Sequence, residues 1–210
     1  MTEAAPSDRR HPEQEQAITF TPRRLLLVGT GAIGVTFLPY WIKWLHMALP
    51  EVECRVVITR SAERFVTREA LSALNNSVAA LDEWPDEPRT TALHVEWAQW
   101  AEAVAVYPAT VSFITRFALG MGDSPALLAM QCTQVPVGIA PSLPPGAIHN
   151  PVLGRHMKEL QERPNVRLLP PQPGRSATTG RNDAYVPPEL PGLLTLMEQS
   201  LGAVDGRAEE

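Results

Sequence analysis

Apolar runs alternate with segments of helical hydrophobic spacing along most of the chain. The apolar, β-branched runs predict buried strands over residues 24–28, 54–59, 103–107, 134–140 and 166–169. Apolar positions three or four residues apart predict helices over residues 33–48, 62–74, from about 111, and 152–161. Because strands and helices alternate, we expect right-handed βαβ units and an α/β fold: a single, Rossmann-like domain with a doubly wound, mostly parallel sheet. Ligands bind such sheets beyond the carboxyl ends of the strands.

The two ends of the chain differ from this central pattern. Residues 1–22 are polar and without periodicity, which predicts a disordered N-terminal tail before a domain at residues 23–170. Residues 170–191 are rich in Pro, Gly, Ser and Thr, which is typical of a loop. We therefore expect residues 171–210 to form a mobile loop followed by a short helix near residues 193–201.

One uncharged stretch, residues 25–42, is long enough to span a bilayer. Gly29, Gly31 and Gly34 interrupt it near its start, and Pro39 interrupts it later. A buried strand, a glycine turn and a helix explain the stretch better than a membrane span, which stays the alternative. We expect no membrane partner.

Composition and charge exclude several classes of function. The net charge is -5 and no basic stripe follows any predicted helix, which argues against a nucleic-acid partner. Cys54 and Cys132 adjoin apolar runs, which predicts buried free thiols in a reducing, cytoplasmic protein. The spacings H-x-x-H and C-x-x-C are absent from the sequence, so we predict no metal site.

The turn after the first predicted strand, Gly29 to Gly34, has the pattern G-x-G-x-x-G. Its glycines allow close approach of the backbone, and free amides at the start of the following helix bind phosphate. NAD needs an acid at the end of the second strand, but that strand ends Ile58-Thr59-Arg60-Ser61. NADP with Arg60 on its 2′-phosphate and a purely structural turn both stay open. A monophosphate such as FMN explains the missing acid more simply.

Further motifs follow this turn in a specific order. Residues 59–67 match T-x-x-A-x-x-F, residues 94–97 are similar to H-I-x-L, and residues 108–113 are similar to P-A-S-A-N-T. Residues 120–124 and 141–144 then stand where G-x-x-D-x-L and P-x-M-N are expected. With these motifs, residues 24–180 resemble the homo-oligomeric flavin-containing cysteine decarboxylases. That family includes phosphopantothenoylcysteine decarboxylases and enzymes that oxidatively decarboxylate the C-terminal cysteine of ribosomally made peptides.

The resemblance implies a flavin-binding domain with FMN as the cofactor and FAD as the alternative. It implies that His94 is the catalytic base, with a structural histidine as the alternative. The residues that it assigns to the phosphate are Gly31, Ala32 and Ile33, with the Ser61 hydroxyl and nearby Thr59. The residues that it assigns to the rest of the flavin are Phe65, Pro108, Ala109, Thr110, Val111 and, from the next loop, Ser142.

The chemistry of the family explains the need for a flavin. Direct loss of CO2 from a cysteine carboxylate would leave an unstabilised carbanion at the α-carbon. If a base takes the thiol proton and the flavin takes hydride from the β-carbon, the resulting C=S group accepts the electrons released with CO2. The protein then supplies position and a base that titrates near neutrality, which suits a histidine.

The sequence departs from the family at three points. Ala32 replaces the usual serine of the glycine turn. Ser112 and Pro144 replace two asparagines that contact the substrate in the family, so these positions are candidate substrate-binding residues of altered chemistry. The segment 171–181, which would act as a clamp on the substrate, lacks the cysteine with which phosphopantothenoylcysteine decarboxylases reduce the enethiol. Its Arg175 is a candidate contact to the peptide, with a solvated loop as the alternative.

Without that cysteine the reaction should stop at the enethiol, which favours the peptide-modifying branch. We therefore predict oxidative decarboxylation of a precursor peptide with a C-terminal cysteine, leading to an aminovinyl-cysteine ring as in lanthipeptides. The alternatives are an enzyme of coenzyme A synthesis and an inactive flavin-binding regulatory subunit. By resemblance we expect a homo-oligomer, either a trimer or a dodecamer, with the flavin near subunit contacts.

Overall fold

The computed structural model describes residues 18–205, with side chains described as far as residue 201. Six parallel strands form the central sheet in the order β3-β2-β1-β4-β5-β6. These strands are β1 (Arg24–Gly29), β2 (Glu53–Ile58), β3 (Ala80–Leu81), β4 (Ala103–Thr110), β5 (Val137–Ser142) and β6 (Val166–Leu168). A separate antiparallel hairpin consists of β7 (Gln172–Gly174) and β8 (Ala184–Val186).

Seven α-helices in the described residues accompany the strands. They are α1 (Leu38–Ala48), α2 (Arg68–Asn75), α3 (Leu93–Trp100), α4 (Val111–Ala118), α5 (Pro125–Cys132), α6 (Pro151–Gln161) and α7 (Leu190–Asp205). Short 3-10 turns occur at Ile33–Phe37, Ala62–Arg64 and Ala147–His149. The predicted α/β fold with a doubly wound parallel sheet is confirmed.

The sheet is covered on both faces, and this explains the unbroken apolar runs of its central strands. Along β1, Leu25 and Leu27 belong to one core, whereas Leu26 and Val28 belong to the other, and all four are fully buried. The first core includes residues of α1, α2 and α7, and the second includes residues of α3, α4, α5 and α6. The chain order reverses between β1 and β4, where ligand sites form in such sheets.

The uncharged stretch at residues 25–42 consists of β1, a glycine turn, a 3-10 turn and the start of α1. The preferred interpretation of a strand, a turn and a helix is thus confirmed. No helix among the described residues is both long enough and apolar enough to cross a membrane.

The N-terminal prediction needs one correction. Residues 1–17 of the predicted tail lie outside the described residues, but residues 18–22 pack against the domain. Phe20 is buried in the first core, and the Thr21 amide and hydroxyl donate to the Glu198 carboxylate on α7. Phe20 and the bonds to Glu198 hold this segment against the domain. A single apolar residue and a distant partner leave no periodic pattern in the sequence, so the contact could not be predicted.

The C-terminal prediction is also incomplete. Part of the predicted loop forms the β7–β8 hairpin, and the final helix begins at Leu190 rather than near residue 193. Leu190, Leu193, Leu194 and Met197 are fully buried, so the first core fixes this helix. Strand β3 and helices α3 and α5 were not predicted either.

The two cysteines occupy different environments. Cys54 is buried in β2, and burial raises the pKa of its thiol to about 12. Cys132 is exposed at the end of α5, so the expectation of a buried thiol was wrong at this position.

Asp82, which follows β3, joins this edge of the sheet to the start of α5. Its carboxylate accepts hydrogen bonds from the Ser124 hydroxyl (2.7 Å) and the Ala126 amide (2.8 Å). Burial raises the pKa of the Asp82 carboxyl above its ordinary value of 3.8, although both hydrogen bonds oppose this shift. The carboxylate therefore costs stability once it ionises in the folded protein.

We expect Asp82→Asn to change how stability depends on pH. Because the pKa is raised by folding, the contribution of Asp82 to stability is largest below pH 3.8 and declines as the pH rises through the shifted value. The variant lacks this decline, so its stability relative to the wild type should increase with pH. Urea unfolding between about pH 4 and 8 measures the difference. A difference that stays constant over that range would contradict the assignment.

Candidate active site

A cavity of about 480 Å³ opens at the carboxyl ends of β1, β4 and β5. The turns after these strands form one side of it, and the β7–β8 hairpin forms the other. Its lining residues are Gly31, Ala32, Ile33, Phe65, Thr110, Val111, Ser112, Ser142, Leu143, Pro144, Pro145, Arg175, Ser176, Ala177, Thr178, Ala184, Tyr185 and Val186. Apolar and hydroxyl-bearing side chains dominate this lining, which is typical of a cofactor site.

The glycine turn after β1 approaches Ser61 closely. A Cβ atom at residue 31 would overlap the Cβ atom of Ser61 and lie 3.1 Å from its carbonyl carbon. The amides of Gly31, Ile33 and Gly34 donate to no backbone carbonyl among the described residues. These amides begin the 3-10 turn at Ile33–Phe37, so they are available to an anion.

Thr30 connects the glycine turn to the turn after β4. Its buried hydroxyl donates to the Pro108 carbonyl (2.7 Å) and accepts from the Thr110 amide (2.8 Å). Its own amide also donates to the Pro108 carbonyl, at 3.2 Å. The peptide bond between Tyr107 and Pro108 is cis. Thr30 therefore fixes the spacing between the two turns that line the cavity, a role that the sequence did not reveal.

We expect Thr30→Val to destabilise the fold by about 1–3 kcal/mol, since the Thr110 amide would lose its acceptor while the side-chain volume stays similar. Thr30→Ser keeps the hydroxyl and should retain most of the stability. Urea unfolding of both variants measures the effect. A larger loss in Thr30→Ser than in Thr30→Val would show that the methyl group, rather than the hydroxyl, matters.

The β7–β8 hairpin is attached to the sheet at two places. Leu143 and Tyr185 exchange backbone hydrogen bonds of 2.7 and 3.0 Å, which places β8 beside the end of β5. The Tyr107 hydroxyl donates to the Pro188 carbonyl at 3.0 Å, and burial raises the pKa of this tyrosine to about 12. The hairpin is thus held over the cavity.

Most of the site residues predicted from the sequence line this one cavity. They are Gly31, Ala32, Ile33, Phe65, Thr110, Val111, Ser112, Ser142, Pro144 and Arg175. Four others lie just behind the lining: Ser61 contacts Gly31, Pro108 accepts from Thr30, Ala109 is buried in β4, and Thr59 follows β2. The buried Thr59 hydroxyl has no hydrogen-bond partner in the described part of the chain.

His94 is the exception, because it does not line the cavity of its own chain. It lies in the first turn of α3, half-buried, with its ring edge-on to Trp84 at 5.7 Å between centroids. The Nδ1 atom is buried without a hydrogen-bond partner among the described residues.

The sequence missed several lining residues of the hairpin and the loop before it. They are Leu143, Pro145, Ser176, Ala177, Thr178, Ala184, Tyr185 and Val186. None belongs to a recognisable motif. The pairing of Leu143 with Tyr185 joins residues far apart in the sequence, so no local pattern could have indicated it.

The geometry bears on NADP as the ligand of the glycine turn and, separately, on metal binding. Arg60 already binds the carboxylates of Glu83 and Glu63, so it is engaged rather than available to the 2′-phosphate of NADP. No group of three or more His, Cys, Asp or Glu side chains in the described part of the chain could hold a metal ion. By contrast, the free amides of the turn, the unpartnered Thr59 hydroxyl and the apolar lining fit a flavin monophosphate.

Comparison with known proteins agrees with this fit. The flavoprotein family model matches residues 13–184, and the chain belongs to this family. The cypemycin cysteine dehydrogenase (decarboxylating) of a Streptomyces species is 34% identical over 165 residues, which cover 79% of this chain and 85% of that protein. The coenzyme A biosynthesis bifunctional protein CoaBC of Haemophilus influenzae is 31% identical over 155 residues, but these cover 38% of its length.

Similar solved structures also include decarboxylases. The crystal structure of the cypemycin decarboxylase CypD superposes with a TM-score of 0.73 at 31% identity, covering 90% of this chain and 99% of that one. The FMN-dependent cysteine decarboxylase TvaF from thioviridamide biosynthesis superposes with a TM-score of 0.60 at 27% identity, covering 69% of this chain and 88% of that one.

Proposed function

We propose that this protein catalyses the FMN-dependent oxidative decarboxylation of the C-terminal cysteine of a ribosomally made precursor peptide. The observation that carries the proposal is the cavity, which has the glycine turn with its free amides on one side and the β7–β8 hairpin on the other. The similarity to the cypemycin enzyme over 85% of its length supports it. We place this protein in the cytoplasm, where reducing conditions keep cysteine thiols free.

The amides of Gly31, Ile33 and Gly34 would hold the FMN phosphate, with the hydroxyls of Ser61 and Thr59 beside them. The side chains of Phe65 and Val111 and the turn after β4 would line the ring system. FMN, when bound, supplies the two-electron oxidation of the cysteine. Because Ala32 brings no hydroxyl, the backbone amides take the larger share of phosphate binding.

His94 takes the proton from the cysteine thiol in this proposal. Since His94 lies outside the cavity of its own chain, it must act in the cavity of a neighbouring copy. Exposed apolar side chains near the cavity support such contacts: Ile33 is 54%, Phe37 63% and Tyr40 60% exposed. The functional unit is thus a homo-oligomer in which every cavity receives a histidine from a neighbouring copy, and resemblance to the family favours a trimer or a dodecamer.

The product is an enethiol. No cysteine occurs in the segment 171–181 to reduce it further. The enethiol then adds to a dehydroamino acid of the same peptide and forms an aminovinyl-cysteine ring. One second candidate has support: the similarity to CoaBC favours a decarboxylase of phosphopantothenoylcysteine.

The test is incubation of the purified holoenzyme with peptides that end in cysteine. We expect a mass loss of about 46 Da, the sum of CO2 and two hydrogen atoms, and a released cofactor that is FMN rather than FAD. Turnover of phosphopantothenoylcysteine without any peptide product would favour the second candidate. Bound flavin with no turnover of either substrate would indicate a regulatory subunit.

A further inference from the structure

The cavity contains a single charge. Among its lining residues, all of which lie in the described part of the chain, Arg175 is the only Arg, Lys, His, Asp or Glu. Arg175 is exposed and takes part in no salt bridge among the described residues, and its guanidinium lies near Gly180 of the same hairpin. By contrast, Arg181 on this hairpin is paired with Asp183 at 3.0 Å. An unpaired cation beside a largely apolar surface favours an anionic ligand.

This anion is distinct from the flavin phosphate. The phosphate-binding turn follows β1, whereas the hairpin is attached beside β5 through Leu143 and Tyr185. Strand β4 lies between β1 and β5, so the two attachment points are roughly 10 Å apart at the usual strand spacing. Arg175 therefore belongs to the wall opposite the phosphate-binding turn.

We propose that Arg175 binds the terminal carboxylate of the substrate cysteine, and that it selects a free C-terminus over an amide or an internal cysteine. The inference rests on the proposed function and names a specificity-determining residue for it. The guanidinium offers two parallel N–H donors, which match the two oxygens of a carboxylate. The Ser112 hydroxyl lines the same cavity and can donate one further hydrogen bond.

The contact acts on binding rather than on bond breaking. The carboxylate keeps its charge while the cysteine is oxidised, so Arg175 binds it equally well in the bound substrate and in the transition state for oxidation. An interaction of this kind lowers KM and does not raise kcat. Removal of the guanidinium should accordingly raise KM and leave kcat nearly unchanged.

The experiment compares Arg175→Gln with the matched control Arg181→Gln, each as the flavin-loaded protein. Two peptides are used, one with a free C-terminal cysteine and one with the same cysteine as its amide. The amide can lose two hydrogen atoms to the flavin but cannot lose CO2, so anaerobic bleaching of the flavin follows oxidation of both peptides. Mass spectrometry follows decarboxylation of the free acid.

We expect Arg175→Gln to raise KM for the free acid about 10- to 100-fold, the value of a lost charge-assisted hydrogen bond. KM for the amide should not change, and Arg181→Gln should behave as the wild type. Arg175→Lys should recover part of the loss, since it restores the charge without the planar fork.

Three results would overturn the inference. An equal rise in KM for both peptides would assign Arg175 to the peptide chain rather than its carboxylate. Loss of FMN from Arg175→Gln would assign it to the phosphate. If the wild type oxidises neither peptide, the proposed function fails. Calorimetry then measures the binding of each peptide to the wild type. Equal dissociation constants for the free acid and the amide would exclude Arg175 as the residue that binds the carboxylate.

Discussion

Replacement of His94 by asparagine is expected to lower turnover of the cysteine peptide by about 100- to 10,000-fold, the usual contribution of a general base. Asparagine is close in size and still polar, so it keeps the contact with Trp84 but cannot accept the thiol proton. The variant should keep its FMN, because the glycine turn and the other lining residues of the cavity are unchanged.

The measurement is the rate of peptide mass loss, with the flavin absorbance as a check on cofactor content. His46→Asn is the matched control, since His46 lies near the end of α1 and contacts only Asn75 among the described polar side chains. It should turn over at the wild-type rate. An active, flavin-loaded His94→Asn protein would exclude His94 as the base.

Local patterns in the sequence predicted the sheet well for a physical reason. Strands such as β1 and β4 are buried on both faces, so each produces a continuous apolar run that needs no knowledge of its neighbours. The position of the site could then be predicted from the strands, because the carboxyl ends of parallel strands, and the turns that follow them, lie at one edge of the sheet. This is why Gly31, Thr110 and Ser142, widely separated in the sequence, line one cavity.

Features that depend on distant pairing could not be predicted in this way. The β7–β8 strands are three residues each, and the β8 contact with Leu143 depends on tertiary structure. Thr30 gains its importance from two partners almost eighty residues away. The position of His94 outside its own cavity was equally hidden, because a motif gives the type of residue but not the chain on which it acts.

Replacement of Gly31 by alanine is expected to weaken FMN binding by roughly 100- to 10,000-fold, the value of two lost charge-assisted hydrogen bonds. The new Cβ atom would overlap that of Ser61, and because the Ser61 backbone is also close, no side-chain rotation relieves the clash. The turn must move, and its free amides move with it.

Fluorescence titration of the apoprotein with FMN measures this loss. Gly154→Ala is the control, since a Cβ atom at that position of α6 meets nothing within 4 Å. It should bind FMN as the wild type does. Unchanged FMN affinity in Gly31→Ala would remove the glycine turn from the phosphate site.

The variants His94→Asn and Gly31→Ala together test whether the site is shared between chains. Gly31→Ala impairs the cavity but keeps His94, whereas His94→Asn keeps the cavity but lacks the base. If a neighbour supplies the histidine, random co-assembly of equal amounts gives an intact cavity next to an intact histidine at about a quarter of the sites. Co-expressed variants, assayed at an FMN concentration that loads the wild type but not Gly31→Ala, should therefore recover about a quarter of wild-type turnover, although each alone has little activity. If both groups acted within one chain, no mixture could recover activity, because every chain would carry one of the two defects.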